Sequence, residues 1–257
     1  MDLGLEGKVV IVTGGSKGIG AGISEVFARE GAKVVINYHS DLSVAETLQQ
    51  DLRSKYNAQT ALVKGDVSNE SDVTAMFDMA EKTFGTVDIL INNAGRGYTC
   101  AFQDITLDAW NQQLKDNLTG QFLMSREFAR RIIPTGNKGW IVNICSKASL
   151  SSTSKGRATY VANKAGEWGL THALAVDLTQ YGIHVNGLMP GFVMAKTVKE
   201  HLEKDPAEFE RRVQRVPIKR VGQPWEIGNM AAFLASEQCE LAVGTVVDMT
   251  GGLLLGF

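Results

Sequence analysis

Residues 8–20 read KVVIVTGGSKGIG, an apolar run followed by a glycine-rich turn. The apolar half predicts a buried strand over residues 8–13. Beyond the glycines, apolar residues recur with a helical period, which predicts a helix over residues 18–30. Glycines let the backbone approach a diphosphate closely, and the free N–H groups at the start of a helix favour an anion. The stretch therefore predicts a strand, a turn and a helix that bind the phosphates of a nucleotide.

The rest of the chain continues this alternation of short apolar runs and helical patterns. Short strands separated by helices predict βαβ units, which build a parallel sheet with helices on both faces. We expect an α/β fold of the Rossmann type, doubly wound and seven-stranded, in a single domain over residues 1–257. Ser68 is the expected N-cap of one helix, and residues 107–131 are expected to form two helical segments with a break near 117–120. Six further strands are predicted at residues 33–38, 59–64, 87–92, 140–145, 183–188 and 244–249.

Composition excludes several classes of protein. The chain has 257 residues and a formal net charge of −2, so neither nucleic acid nor an anionic membrane is expected as a partner. No apolar run approaches the roughly 20 residues of a membrane span, and the N-terminus lacks the pattern of a signal peptide. Cysteines at positions 100, 145 and 239 are widely spaced, which indicates a reducing compartment and no metal site. We expect a cytoplasmic protein.

Tyr160 and Lys164 stand four residues apart in a predicted helix over residues 159–181. This spacing places both side chains on one face, one turn apart. A fixed cation beside a phenol favours the phenolate, and such a tyrosine can exchange a proton near neutral pH. The alternative is an ordinary surface pair.

Polar motifs also follow two predicted strands: Asp66 and Val67 follow one, and residues 92–95, NNAG, end the other. Ligands of parallel α/β sheets bind outside the carboxyl ends of the strands, although a plain turn is the alternative for the asparagines. Together with TGxxxGxG at residues 13–20 and the Tyr-x-x-x-Lys pair, these motifs resemble the short-chain dehydrogenase/reductase family. The resemblance covers nearly the whole chain.

The resemblance implies a catalytic set of Asn117, Ser146, Tyr160 and Lys164. Tyr160 would exchange the proton of a substrate oxygen, Ser146 would hydrogen-bond that oxygen, and Asn117 would hold a water that links Lys164 to solvent. Ser146 lies fourteen residues before Tyr160, one more than is usual in the family, so Ser149 is the alternative serine. Asn117 could instead be a helix cap.

The resemblance also implies the cofactor contacts. Ala195 stands where the family often has a threonine, and Thr197 is the possible replacement. A lid over the substrate is expected at about residues 192–216. The implied contacts are Gly14, Ser16, Lys17, Gly18, Ile19, Gly20, Tyr38, His39, Ser40, Asp66, Val67, Asn93, Ala94, Gly95, Tyr160, Lys164, Pro190, Gly191 and Val193.

Charge near the second strand indicates which nucleotide is preferred. An acid at the end of that strand would bind a ribose 2′-hydroxyl and repel a 2′-phosphate. Here the strand ends with Tyr38, His39 and Ser40, and Lys17 lies in the glycine turn, where a cation would pair with a phosphate. We expect NADP to be preferred, with use of both NADP and NAD as the alternative.

Cations near the expected pocket, at Arg96, Lys147 and Arg157, favour a polar or anionic substrate. The resemblance is to sugar and polyol members of the family, which implies oxidation or reduction at a CH–OH group of a sugar, sugar acid or polyol. A reductase of 3-oxoacyl thioesters or of ketones in general is one alternative, and a non-catalytic protein that senses NADP(H) is another. The resemblance implies a homotetramer.

Overall fold

The computed structural model describes residues 1–150 and 155–255, and over these ranges the chain folds around one parallel sheet of seven strands. The spatial order is β3-β2-β1-β4-β5-β6-β7. The predicted doubly wound α/β fold is therefore confirmed. The strands are β1 (Val9–Val12), β2 (Lys33–Tyr38), β3 (Thr60–Lys64), β4 (Ile89–Asn92), β5 (Gly139–Ile144), β6 (Ile183–Pro190) and β7 (Val246–Met249).

Helices cover both faces of this sheet, because successive side chains of each buried strand point to opposite sides. Val10 and Val12 face a core that includes Phe27, while Val9 and Ile11 face a second core that includes Phe77. The α-helices are α1 (Gly18–Arg29), α2 (Leu42–Tyr56), α3 (Glu70–Phe84), α4 (Leu107–Leu114), α5 (Gly120–Ile132), α6 (Ala158–Leu178), α7 (Lys196–Lys204), α8 (Pro206–Arg215) and α9 (Pro224–Leu234).

Two local expectations were wrong. Asn69 rather than Ser68 caps α3, and its side chain accepts a hydrogen bond from the Asp72 N–H at 3.1 Å. Ser68 instead donates from its N–H and its hydroxyl to the Asp66 carboxylate, each at 2.8 Å. The expected break between two helices is a continuous π-helical turn over Lys115–Thr119, which joins α4 to α5.

The strand order places a crevice at one point of the sheet. From β1 the chain moves outward to β2 and β3, and it then returns to the other side of β1 to form β4. At β1 the connections between strands therefore run in opposite directions along the sheet. Ligands of open α/β sheets bind at such a point. The turns after β1 and β4 meet at this point, since the Thr13 N–H donates to the Ile91 carbonyl at 3.0 Å.

Within the described ranges, no helix is both long enough and apolar enough to cross a membrane.

Candidate active site

A cleft of about 620 Å³ opens at the carboxyl ends of the strands. Five predicted site residues do not line it: Gly18, Asn117, Lys147, Arg157 and Val193. The other predicted residues do, and they are Gly14, Ser16, Lys17, Ile19, Gly20, Tyr38, His39, Ser40, Asp66, Val67, Asn93, Ala94, Gly95, Arg96, Ser146, Tyr160, Lys164, Pro190 and Gly191.

The glycine turn after β1 is held as a backbone cradle. Gly14 has a φ of +57°, which glycine adopts without strain. The amide of Asn93 donates to the carbonyls of Thr13 at 2.9 Å and of Gly14 at 3.2 Å. A Cβ on Gly20 would lie 2.2 Å from the Gly14 carbonyl oxygen, so no larger residue fits there. The turn exposes backbone at the start of α1, an arrangement that fits a diphosphate.

Asn37 shapes this cradle and was not among the predicted residues. It is buried in β2, accepts a hydrogen bond from the Gly14 N–H at 3.0 Å, and donates to the Gly65 carbonyl at 3.1 Å. It therefore ties the glycine turn to the segment that carries Asp66. An amide inside the otherwise apolar run KVVINY is the sequence signal for such a role.

The outer end of the cleft lies beyond β2. Lys17 also lines the cleft and is exposed at the N-cap position of α1. His39 lies with its Nε2 3.9 Å from the Asp66 carboxylate. Asp41 also lines the cleft, but its carboxylate caps α2 by accepting hydrogen bonds from the Val44 N–H and the Ser43 hydroxyl.

Tyr160 and Lys164 lie at the opposite end of the cleft, on α6. The Lys164 ammonium is buried and lies 5.9 Å from the centre of the Tyr160 ring. It donates to the Ile144 carbonyl at 3.1 Å and to the Glu167 carboxylate at 2.7 Å. Glu167 is a second residue that the sequence analysis missed. The sequence pattern that could have revealed it is an acidic residue three positions after Lys164, which a helix places on the same face.

Ser146 follows β5 in an extended conformation, and its Oγ accepts a hydrogen bond from the Ala148 N–H at 3.1 Å. The alternative, Ser149, donates its hydroxyl to the Lys164 carbonyl at 2.7 Å and does not line the cleft. Ser146 is therefore the better placed of the two. The turn between Ser146 and Tyr160 includes residues 151–154, which lie outside the described residues.

Asn117 is buried in the π-helical turn and does not cap a helix. Its amide donates to the carbonyls of Gln113 at 2.8 Å and Arg96 at 3.2 Å, and its Oδ1 accepts from the Arg96 N–H at 3.1 Å. The side chain thus fixes the segment that follows NNAG.

Cys145, next to Ser146, is not suited to be a nucleophile. Burial, together with the nearby Glu167 carboxylate, raises the pKa of the Cys145 thiol to about 12. The thiolate is the reactive form of cysteine, so this side chain stays inert near neutral pH.

The segment after β6 departs from the expected contacts. Val193 is buried and pairs with Gly222 in an isolated β-bridge away from the cleft. Ala195 lines the cleft, where its methyl lies 3.6 Å from the position that a Cβ on Gly18 would take. The Thr197 side chain lies outside the described residues.

The three predicted cations differ in their surroundings. Arg96 pairs with Asp116 at 2.5 Å, so its charge is compensated. Arg157 packs its guanidinium on the ring of Tyr160, and no carboxylate of the described residues lies within 4.0 Å of it. Lys147 begins a 3-10 turn over Lys147–Ser149. Arg96 lines the cleft, whereas Arg157 and Lys147 do not.

No group of three His, Cys, Asp or Glu side chains in the described part of the chain is arranged to hold a metal ion. The chemistry that these residues can supply is instead proton transfer at a phenol next to a buried ammonium, beside a cradle for a nucleotide phosphate.

Comparisons with known proteins agree with this geometry. A family model described as enoyl-(acyl carrier protein) reductase matches residues 14–254. Glucose 1-dehydrogenase 2 of Bacillus subtilis (strain 168) is 32% identical over 252 residues, which are 98% of this chain and 96% of the relative. 3beta-hydroxysteroid dehydrogenase 1 of Eggerthella lenta is 35% identical over 251 residues, which are 98% of this chain and 95% of the relative.

Among solved structures, that of a putative gluconate dehydrogenase from Agrobacterium tumefaciens superposes with a TM-score of 0.91 at 33% identity and covers 98% of both chains. The family model and these relatives span nearly the whole sequence, and their fold is the same. The resemblance inferred from the glycine turn and the Tyr-x-x-x-Lys pair is confirmed: the chain belongs to the short-chain dehydrogenase/reductase family of oxidoreductases.

Proposed function

We propose that the protein is an NADP-preferring dehydrogenase or reductase that interconverts a hydroxyl and a carbonyl on a small polar substrate, in particular a sugar, sugar acid or polyol. One observation carries the proposal. Ser146, Tyr160 and Lys164 line the same cleft as the glycine cradle, so a nucleotide bound in the cradle would extend toward them. The family uses NAD or NADP, and the cofactor supplies or accepts the hydride.

The protein contributes position, charge and a proton. In the direction of reduction, Tyr160 donates its hydroxyl proton to the carbonyl oxygen, and in oxidation it takes the proton of the hydroxyl. Ser146 hydrogen-bonds the same oxygen as charge develops on it. Lys164 favours the phenolate and would bind the nicotinamide ribose, while Asn117 keeps the residues after NNAG in place.

Charge at the outer end of the cleft supports a preference for NADP. Lys17 is exposed where the resemblance places the 2′-phosphate, and no carboxylate stands within the first two positions after β2. Asp41, the nearest acid along the chain, has one carboxylate oxygen, Oδ1, engaged in capping α2. A phosphate would therefore meet the Lys17 cation, with the carboxylates of Asp41 and Asp66 also lining the cleft.

Arg157 supports an acidic substrate. Its guanidinium lies on the ring of the proposed proton donor, and an anionic group of the substrate could pair with it while a neighbouring carbon reacts. A relative named for glucose and a structural neighbour named for gluconate favour the same class.

The second candidate is a reductase or dehydrogenase of larger apolar substrates. A relative named for 3beta-hydroxysteroids and a family model named for acyl carrier protein reductases favour it. The hydrogen-bonded polar groups Arg96, Gln112 and Asp116 line the cleft and favour a polar substrate over an apolar one.

Three further features belong to the proposal. Residues 192–216 form the lid, and the packing of Phe209 of α8 on Phe192, at 5.6 Å between ring centres, supports this.

A homotetramer is supported by the family resemblance and by the exposed Val176 on α6. A cytoplasmic location is supported by the free state of Cys100, Cys145 and Cys239.

A panel of substrates tests the function. Sugars, sugar acids, polyols, simple ketones, a hydroxysteroid and an acyl thioester would each be offered with NADP(H) and NAD(H), and the absorbance of the reduced nicotinamide would be followed. We expect the highest kcat/KM for a sugar acid with NADP. Tight binding of NADPH without turnover of any substrate would instead favour the sensing role.

A further inference from the structure

Glu167 lies one helical turn after Lys164, on the buried face of α6. The exposed fractions of the two side chains are 4% and 7%, and their charged groups are 2.7 Å apart. The same ammonium donates to the Ile144 carbonyl at the end of β5. Burial of a carboxylate is costly unless it is paired, so a buried acid at this point requires a reason beyond packing.

The two carboxylate oxygens of Glu167 differ in their surroundings, since Oε2 is the one that bonds Lys164. Its Oε1 is buried and has no hydrogen-bond partner among the described residues, and the same holds for Oδ1 of Asn92 on β4. Both residues line one small internal space behind the cleft, together with Gln121 of α5. A carboxyl that can carry a proton fits a space bordered by unpaired acceptors, because the protonated form supplies a donor.

The charges of the pair depend on each other. Burial alone would lower the pKa of Lys164, but the attraction of Glu167, the attraction of Tyr160, the hydrogen bond to Glu167 and the attraction of Cys145 together outweigh this, so that pKa lies above its ordinary value. Burial raises the pKa of Glu167, an effect that Lys164 opposes. The other titratable groups facing the pair in the described ranges are Tyr160 on the same helix and Cys145 just after β5. A proton added to the pair therefore goes to Glu167, since Lys164 already holds its own.

We propose that Glu167 is a positioning residue for the reaction, which holds the Lys164 ammonium against Ile144 and sets the charge that Tyr160 faces. With Glu167 ionised, the pair has no net charge. When Glu167 takes a proton from solvent, the ammonium is left uncompensated one helical turn from Tyr160. The positive charge that favours a phenolate is thus controlled by a proton. This inference rests on the roles of Tyr160 and Lys164 in the proposed function.

Two variants and a control separate charge from packing. Glu167→Gln keeps the size of the side chain and an acceptor for Lys164 but removes the negative charge. Glu167→Asp keeps the charge and lengthens the contact. Asp177→Asn removes a carboxylate from an exposed position of the same helix and serves as the control.

NMR of isotope-labelled lysine side chains reads the charge of Lys164 without any substrate. The Lys164 signal is identified by its absence in Lys164→Arg. In Glu167→Gln we expect the titration midpoint of Lys164 to fall by about one pH unit or more, whereas Asp177→Asn leaves it in place. An unchanged midpoint in Glu167→Gln would overturn the proposal. Should Glu167→Gln fail to fold, a smaller fall in Glu167→Asp is expected, and no fall there would overturn it equally.

Kinetics with a substrate from the panel complete the test. The basic limb of the kcat profile is expected to move to lower pH by the same amount as the Lys164 midpoint, with little change in KM, because a neutral Lys164 no longer favours the phenolate. A uniform loss of kcat at every pH would mean a structural role only and would contradict the proposal. If no substrate is turned over but the midpoint moves, it is the proposed function that fails and not the charge coupling.

Discussion

The guanidinium of Arg157 lies on the ring of Tyr160, with its central carbon 4.2 Å from the ring centre. The contact joins the N-cap position of α6 to a residue in the first turn of the same helix. A cation above an aromatic face is held by the charge distribution of the ring. The stack therefore keeps a positive charge next to the proposed proton donor.

Replacement of Arg157 by Gln is expected to discriminate between acidic and neutral substrates. Loss of a charge-assisted hydrogen bond should raise KM for a sugar acid by about tenfold to a hundredfold. KM for the matching neutral sugar should stay near the wild-type value, since that substrate has no anion to lose. Steady-state kinetics on both substrates measure the ratio. Arg29→Gln, at the far end of α1 from the glycine turn, is the control, and an equal loss on both substrates would refute an anion-binding role.

Replacement of Tyr160 by Phe should lower kcat by about a hundredfold to ten-thousandfold, because the proton donor is removed.

Replacement of Ser146 by Ala should lower kcat by about a hundredfold, because one hydrogen bond to the developing oxyanion is lost. Ser149→Ala serves as the control and should remain close to wild type, since Ser149 bonds the Lys164 carbonyl instead of lining the cleft. Affinity for NADPH, followed by its fluorescence, separates chemistry from binding, and full activity in Tyr160→Phe would contradict the mechanism.

The fold was predictable from the sequence because its signals are local. The apolar run before Gly14 predicts a buried strand, and the return of apolar residues after Gly20 predicts a helix. The Tyr160 and Lys164 spacing is equally local, since a helix fixes which side chains share a face. The N-cap of α3 could not be predicted in this way, because Ser68 and Asn69 are both residue types that cap helices well. Asp66 engages Ser68 and leaves the cap to Asn69, a choice made by a contact outside the helix.

The parts of the site that escaped prediction depend on tertiary packing. Asn37 acts on Gly14 across two strands, and its role appears only when β1 and β2 are paired. Glu167 resembles a surface residue in sequence, and only the burial of its helix face turns it into a partner of Lys164. The compensation of Arg96 by Asp116 likewise joins residues from separate segments, so charge alone could not rank Arg96 against Arg157.

Cofactor preference can be tested at Lys17. Lys17→Ala should lower kcat/KM with NADP by about tenfold to a hundredfold, because a charged partner of the 2′-phosphate is lost. The value with NAD should change little, since NAD has only a hydroxyl at that position. Lys82→Ala removes an exposed cation from α3 and is the matched control. Equal kcat/KM values for the two nucleotides in the wild-type protein would rule out the preference itself.

The glycine cradle provides a prediction that needs no substrate. A Cβ on Gly20 would lie 2.2 Å from the Gly14 carbonyl oxygen and 2.6 Å from the Asn93 amide nitrogen, so Gly20→Ala must displace the turn. Overpacking of this kind should lower the free energy of unfolding by about 1–3 kcal/mol, measured by urea denaturation. The dissociation constant for NADPH should rise in parallel, because the backbone N–H groups that face the phosphates move with the turn.

The control for this change is Gly169→Ala, also within a helix, where an added Cβ would meet no atom within 4 Å. Alanine is a better helix former than glycine by up to about 1 kcal/mol, so this variant should be as stable as wild type or more stable. It should bind NADPH unchanged. If Gly20→Ala lost stability but kept the wild-type affinity for NADPH, the cradle would not be the phosphate site, since the clash moves the same atoms that are proposed to hold the ligand.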